Sequence, residues 1–243
     1  QSNQFQKEEE FKIQEVLEVK PLLMATDSKE INSFDIEFEK VSFKYNSEEN
    51  YALKDISFKV MQGSVTALVG PSGAGKSTIA KLIPRFWDTS SGSIKIGGVD
   101  IKELSSETLM NTVSFVFQDT FLFQDTIYNN IKMANPSAPK QDIISAAKAA
   151  QIHDFIESLP DGYETLAGDR GTNLSGGQKQ RITIARAILR DTPIIVLDEA
   201  TAFTDPENEE EIIKALANLT INKTVIMIAH RLSTIQKADR IVV

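Results

Sequence analysis

The order of apolar and polar residues predicts antiparallel strands in the first part of the chain. Apolar residues alternate with polar ones across residues 36–43 and again across residues 56–60. A polar stretch at 46–50 separates the two segments, and Gly63 follows the second. Alternation with a period of two is typical of strands that bury one face. We therefore expect these segments to form antiparallel strands.

After Gly63 the pattern changes to short apolar runs that alternate with helix-like segments. The runs cover residues 65–69, 194–197 and 224–229, and continuous runs of this length are typical of strands buried on both faces. Helix-like periodicity or composition marks residues 77–86, 141–159, 178–189 and 207–219 and a short segment after His230. The alternation predicts an α/β fold in which helices cover a parallel sheet.

Both ends of the chain indicate a segment cut from a longer protein. Residues 1–33 are mostly polar and charged, with helix-spaced apolar residues at Phe11, Ile13, Val16 and Leu17 before Pro21. A solvated surface helix and a junction with an upstream domain explain this pattern equally well. The last three residues form a β-like run with no turn after it, so we expect a truncated C-terminus.

Composition narrows the classes of function. The 243 residues are 41% hydrophobic, which suffices for a packed core. The formal net charge of -8 argues against nucleic-acid binding, which usually needs a basic face. The chain has no cysteine, which excludes disulfides and thiol nucleophiles. Its apolar runs are much shorter than the roughly 20 residues that cross a bilayer.

The segment after the first apolar run has the chemistry of a phosphate-binding loop. It fits the pattern G-x-x-x-x-G-K-[ST] and consists of Gly70, Pro71, Ser72, Gly73, Ala74, Gly75, Lys76 and Ser77. Glycines let backbone N–H groups converge on an anion, and the following helix adds its positive dipole. We expect Lys76 to reach the β and γ phosphates, Ser77 to bind Mg²⁺ and Thr78 to contact phosphate. The alternative, a plain glycine-rich turn, does not need the strand before it and the helix after it.

Two carboxylates follow the apolar run at 194–197. In an open α/β sheet the ligand lies beyond the carboxyl ends of the strands, which makes Asp198 a candidate ligand for Mg²⁺. Glu199 is then the candidate general base, or water-orienting group, for attack on the γ phosphate. Alone, the pattern also fits an ordinary strand end. Together with a phosphate-binding loop it indicates a nucleoside triphosphatase.

A third motif, made of Leu174, Ser175, Gly176, Gly177 and Gln178, opens the helical pattern at 178–189. Ser175 is a favourable N-cap, and the two glycines leave backbone N–H groups open, so the segment is a second candidate anion site. With this signature pentapeptide, residues 34–243 resemble the ABC ATPase superfamily. The resemblance implies a P-loop NTPase core of RecA-like α/β fold, an antiparallel β subdomain and an inserted α-helical subdomain at about 119–190.

The resemblance also implies roles for residues whose types alone say little. Tyr45 is similar to the aromatic residue that stacks on adenine, with a packing role as the alternative. Gln118 is similar to the glutamine that contacts Mg²⁺ or the attacking water. His230 is similar to the histidine that contacts the γ phosphate. Asp205 is similar to the aspartate through which the two halves of a dimer communicate, although residues 202–204 depart from the usual Ser-Ala-Leu.

In this superfamily the signature of one subunit covers the ATP bound to the other. The resemblance therefore implies ATP and Mg²⁺ as cofactors and a head-to-tail dimer, with an identical or a different second subunit. The likeness is to exporter-type members, so residues 1–33 are expected to link an upstream transmembrane domain to an ATPase at the cytoplasmic face of the cell membrane. The alternatives are a metal-chelate importer of the same fold, a non-transport ABC ATPase and a binding module without turnover.

Overall fold

The computed structural model describes residues 22–26, 29–45, 50–198, 206–229 and 238–243, without the side chains of 206–208. Within these ranges the chain forms nine strands, numbered here in chain order: β1 Ile36–Phe43, β2 Leu53–Val60, β3 Val65–Leu68, β4 Ser91–Ile96, β5 Val99–Asp100, β6 Val113–Val116, β7 Ile194–Asp198, β8 Thr224–Ile228 and β9 Arg240–Val242. The same ranges contain seven α-helices: α1 Lys76–Leu82, α2 Ser106–Thr112, α3 Ile127–Lys132, α4 Lys140–Ala149, α5 His153–Ser158, α6 Gly176–Arg190 and α7 Pro206–Thr220.

One sheet is antiparallel and has the strand order β2-β1-β4-β5. Ile36 pairs with Val60 and Phe38 with Phe58, and the stacked rings of the two phenylalanines lie 4.4 Å apart. The predicted antiparallel strands are therefore confirmed. The sequence pattern does not predict β4 and β5, because β4 begins with Ser-Gly-Ser and β5 has only two residues.

The other sheet is parallel and has the strand order β6-β7-β8-β3-β9. The three predicted apolar runs form β3, β7 and β8, which confirms the parallel sheet. All five residues of β7 are buried, as expected for a strand covered on both faces. The sequence pattern does not predict β6, because this short strand follows α2 directly, without a Gly or Pro between them.

Two segments predicted to be helical are interrupted or shorter in the structure. The helical character predicted at 141–159 is confirmed, but it belongs to two helices, since α4 ends at Ala149 and α5 begins at His153. The break falls where Gln151 adopts a left-handed backbone conformation with φ of 57°. Similarly, the helix predicted at 77–86 ends at Leu82, since the chain turns at Arg85, where φ is 56°.

Two of the other helix predictions are confirmed. Helices α6 and α7 confirm the segments predicted at 178–189 and 207–219, with small shifts at their ends. The short helix predicted after His230 lies outside the described residues. In the part of the chain that the structure describes, no helix combines the length and hydropathy that a membrane crossing requires.

The parallel sheet forms the middle layer between two hydrophobic cores. On one side Ile195, Leu197 and Val225 pack with apolar residues of α3 to α7. On the other side Ile194 and Val196 pack with α1, α2 and the antiparallel sheet. Since side chains of a strand point alternately to opposite faces, burial on both sides fixes the strand register. The carboxyl ends of the parallel strands are the edge that carries the candidate site.

Candidate nucleotide-binding site

The predicted phosphate-binding loop connects β3 to α1 at the carboxyl edge of the parallel sheet. Residues 71–74 are exposed to solvent, so an incoming ligand has access to the loop. Gly73 and Gly75 have φ of 81° and 85°, in the left-handed region that disfavours other residues. A Cβ atom at Gly75 would lie 2.6 Å from Leu53 Cδ2 and 2.8 Å from the carbonyl oxygen of Ala52. The loop therefore requires glycine at position 75 for two separate reasons.

The Lys76 side chain folds back into the curl of the loop. Its Nζ donates to the carbonyl oxygens of Gly70 at 2.9 Å and Pro71 at 2.8 Å. Lys76 is only 7% exposed, so its ammonium group is held close to the backbone of the loop. A cation in that position is available to phosphate oxygens, for which it would exchange its carbonyl partners.

The predicted magnesium ligands Ser77 and Asp198 lie together. Ser77 follows the loop, Asp198 is the last residue of β7, and Ser77 Oγ donates to Asp198 Oδ1 at 3.4 Å. Asp198 is 6% exposed, and a nearly buried carboxylate beside a hydroxyl is a donor set suited to a hard cation. Mg²⁺ is usually bound by one or two carboxylates together with substrate phosphates and water.

Gln118 lies at the same edge, one strand further along the sheet. In the ladder between β6 and β7, Val116 pairs with Leu197. Gln118 is the second residue after Val116, as Asp198 is the first after Leu197, so both leave the sheet on the same side. Its side chain is exposed. The structure thus places Gln118, Ser77 and Asp198 at the same edge of the parallel sheet, and their roles stay predictions.

Tyr45 lies beside the start of α1. Its hydroxyl group is 2.9 Å from Thr78 Oγ1, which connects the predicted adenine-stacking residue to a predicted phosphate contact. The Tyr45 ring packs edge to face against Phe43, at 4.8 Å, and Trp87, at 5.4 Å. Trp87 is 36% exposed and extends this aromatic surface. Sequence reasoning missed it, although it is the single tryptophan of the chain.

The signature motif caps α6 on the helical side of the molecule. Ser175 Oγ accepts from the backbone N–H of Gln178 at 3.3 Å, and Gln178 Oε1 accepts from the backbone N–H of Ser175 at 2.9 Å. This is a complete capping box, and Gly176 and Gly177 form the first turn of the helix between the two partners. The side chains of Ser175 and Gln178 bond to each other's backbone N–H groups, so the start of the signature helix is organised by residues within the motif.

Three predicted site residues lie outside the described residues: Glu199, Asp205 and His230. Their neighbours in sequence are described. Asp198 immediately precedes Glu199, and Ile228, which pairs with Asp198 across the sheet, stands two positions before His230. The roles of these three residues stay predictions.

Residues 53–202 match the family described as ABC transporter. The chain is 51% identical over 208 residues to the putative multidrug export ATP-binding/permease protein YgaD of Bacillus subtilis, an alignment that covers 86% of this chain and 36% of that protein. It is 49% identical over 233 residues to the ATP-dependent lipid A-core flippase of Desulfotalea psychrophila, covering 94% of this chain and 40% of that protein.

A solved structure of an ABC exporter is also similar to this chain. A bacterial Atm1-family ABC exporter with ATP bound matches with a TM-score of 0.86 and 40% sequence identity, over 93% of this chain and 40% of that one. The fold and the site define a P-loop nucleotide-binding domain. The chain belongs to the ABC transporter family. It spans about two fifths of the length of these relatives.

Proposed function

We propose that this chain binds and hydrolyses MgATP and that the hydrolysis drives an exporter-type membrane transporter of which the chain is the motor domain. The observation that carries the proposal is the constellation of Lys76, Ser77 and Asp198 at the carboxyl edge of the parallel sheet. It combines a buried cation, a hydroxyl group and a nearly buried carboxylate next to a loop shaped by glycine.

Binding would use the loop and the aromatic surface together. Backbone N–H groups of residues 72–76 and the Lys76 ammonium group would hold the β and γ phosphates. The Thr78 hydroxyl group would then exchange its contact with Tyr45 for one with a phosphate oxygen. Tyr45 and Trp87 would then supply ring surface for the adenine base, a kind of contact worth about 1–3 kcal/mol per base.

Ser77 and Asp198 are the side chains that would hold Mg²⁺, with Gln118 as a third oxygen donor from the neighbouring strand. A Mg²⁺ ion held there would supply positive charge that offsets the negative charge developing on the phosphates during transfer. Hydrolysis would further require a group that orients water and accepts its proton. Glu199 follows Asp198 directly and is the proposed general base, and His230 is proposed to contact the γ phosphate.

A second subunit is proposed because one chain carries two anion-binding elements that do not share a site. The P-loop belongs to the parallel sheet and the signature to the start of α6. In a head-to-tail dimer the signature of each copy, with Ser175, Gly176, Gly177 and Gln178, would cover the ATP on the P-loop of its partner. Asp205 would contribute to communication between the two sites. The resemblance to the superfamily supports this arrangement.

A membrane domain is proposed as the other partner, joined through residues 1–33. Two relatives are named as an ATP-binding/permease protein and a flippase, and both are much longer than this chain. A cavity of about 780 Å³ is lined in part by the exposed rings of Phe117, Phe121 and Phe123. This apolar surface supports contact with the proposed membrane domain. Exposed apolar patches of this kind commonly mark interaction sites. The ATPase would then work at the cytoplasmic face of the membrane.

The test is phosphate release from ATP by the chain, measured with Mg²⁺ and with the metal chelated. We expect hydrolysis only with Mg²⁺. Ser77→Ala removes one proposed metal contact, and loss of one such interaction should lower kcat by about tenfold. Ser137→Ala, which removes an exposed hydroxyl group bonded to Asn135, is the matched control and should hydrolyse normally. Turnover that persisted without Mg²⁺, or that Ser77→Ala left unchanged, would contradict the proposal.

A further inference from the structure

Arg186 forms an unusual set of contacts on the face of α6 that meets α3. Its Nε donates to the carbonyl oxygen of Asn130, its Nη1 to the carbonyl oxygen of Phe121 at 2.8 Å, and its Nη2 to Asn130 Oδ1. A single guanidinium group thus joins α6 to two points that are far away in sequence. All three acceptors are neutral oxygens.

Asn130 continues this connection into the segment that leads from the parallel sheet. The residue is completely buried. Its Oδ1 accepts from the backbone N–H of Phe123 at 2.9 Å, and its Nδ2 donates to the carbonyl oxygens of Phe123 at 3.0 Å and Thr126 at 2.9 Å. Arg186 and Asn130 therefore clasp the backbone between Phe121 and Thr126. We call this pair of side chains the bracket.

The chemistry of the bracket favours a positional role over simple packing. Burial lowers the pKa of the Arg186 guanidinium to about 10, which reflects the cost of removing its charge from water. An apolar side chain of similar volume would avoid that cost. What arginine adds is a rigid planar fork, which fixes several acceptors in one geometry in a way that lysine or methionine does not.

Both ends of the bracket lead to proposed nucleotide contacts. Gln118 stands three positions before Phe121, in the segment that leaves β6. Arg186 lies about three helical turns after Gly176, on the same helix that the signature begins. A displacement of the Gln118 segment is therefore passed through Phe121 and Arg186 to α6, since a packed helix moves as a unit.

We propose that Arg186 is a positioning residue that ties the Gln118 segment to the signature helix, so that MgATP at one site sets the position of the signature that serves the other site. This inference rests on the proposed function, because it requires the two-site ATPase. It predicts a split in the kinetics. Without Arg186 the P-loop contacts of ATP remain, so KM should change little. The value of kcat should fall, because the signature is no longer held in position over the ATP bound to the other copy.

A double-mutant cycle on kcat distinguishes this role from a purely structural one. We expect Arg186→Lys to lower kcat about tenfold at nearly constant KM. If Arg186 acts through the Gln118 segment, the same change in a Gln118→Ala background should lower kcat by less than about twofold. Arg190→Lys is the matched control: Arg190 lies one turn further along α6, donates from Nε to the carbonyl oxygen of Met110 at 3.0 Å and should leave kcat unchanged.

A second measurement covers the case in which Arg186→Lys folds poorly. Hydrogen exchange of the Phe123 amide, which donates to Asn130 Oδ1, and of the Gly176–Gln178 amides would be followed with and without MgATP in the unaltered chain and in Arg186→Met. We expect ATP to protect both segments in the unaltered chain and only the first in the variant. The proposed role of the bracket would be overturned if ATP protected both segments equally in the variant. It would also be overturned if Arg186→Lys lowered kcat about tenfold in the Gln118→Ala background as well. Neither result would contradict the proposed function. Absence of MgATP hydrolysis by the unaltered chain would overturn the proposed function, and the bracket's role with it.

Discussion

Replacing Gly75 by alanine should destabilise the phosphate-binding loop through two effects, which are backbone strain and a steric clash of the new Cβ atom. The left-handed conformation at this position costs a residue with a side chain about 1–2 kcal/mol. In addition, the new Cβ would lie 2.8 Å from the carbonyl oxygen of Ala52 and 2.6 Å from Leu53 Cδ2. The backbone carbonyl has to move to relieve the contact, and overpacking of this kind costs about 1–3 kcal/mol more. We expect the free energy of unfolding to fall by about 2–5 kcal/mol in total.

Gly63→Ala is the control for the conformational part alone. Gly63 has φ of 73°, and a Cβ there would meet no atom within 4 Å, so only about 1–2 kcal/mol should be lost. Urea unfolding of the two variants, followed by the fluorescence of Trp87, gives the difference. MgATP binding gives a second readout, which should weaken about tenfold for Gly75→Ala as the loop shifts and stay normal for Gly63→Ala. Equal stability losses and equal affinities in the two variants would refute the steric reasoning.

Three further predictions concern other parts of the molecule. Glu199→Gln should preserve ATP binding and slow turnover by roughly 10²–10⁴, and hydrolysis at the unaltered rate would remove Glu199 from its proposed role. Hydrogen bonds from Lys59 and then Ser33 hold the pKa of Asp35 below its usual 3.8, so its stabilising effect is present above pH 3.8 and is lost as the pH falls through the lowered pKa. Asp35→Asn should therefore lower the urea midpoint at pH 7 by an amount that shrinks as the pH falls below 3.8, and a deficit that stayed constant into acid would contradict this. Glu211→Gln leaves the buried Arg181 without the carboxylate that lies 2.6 Å away, and the unfolding free energy should fall by about 1 kcal/mol, whereas no change would show that the pair is fully screened.

The sequence predicted those parts of the site whose chemistry lies in contiguous residues. The glycines between Gly70 and Ser77 indicate the backbone geometry of the loop. The apolar run before Asp198 predicts that this carboxylate lies at the end of a buried strand. The sheet topology then brought Ser77 and Asp198 together, as the rule for carboxyl edges of parallel strands requires. Family and fold followed from these motifs and were confirmed, whereas ATP hydrolysis is a proposal.

What the sequence did not predict depends on contacts between distant residues or on single backbone angles. The break between α4 and α5 contains no Gly or Pro that would predict it. Instead, Gln151 adopts the left-handed backbone conformation there. Likewise, neither Arg186 nor Asn130 is distinctive in its local sequence, and their connection appears only when α6 packs on α3. Trp87 joins the aromatic surface near Tyr45 through a turn whose direction is set by Arg85.

Light scattering of the Glu199→Gln variant tests whether two copies of this chain enclose ATP between them. The molar mass is measured after size-exclusion chromatography over a range of protein concentrations, without nucleotide and with MgATP at a concentration that saturates the binding site. We expect a monomer without nucleotide and a dimer with two ATP bound in its presence. A species that binds ATP stoichiometrically and remains a monomer at every concentration would contradict it.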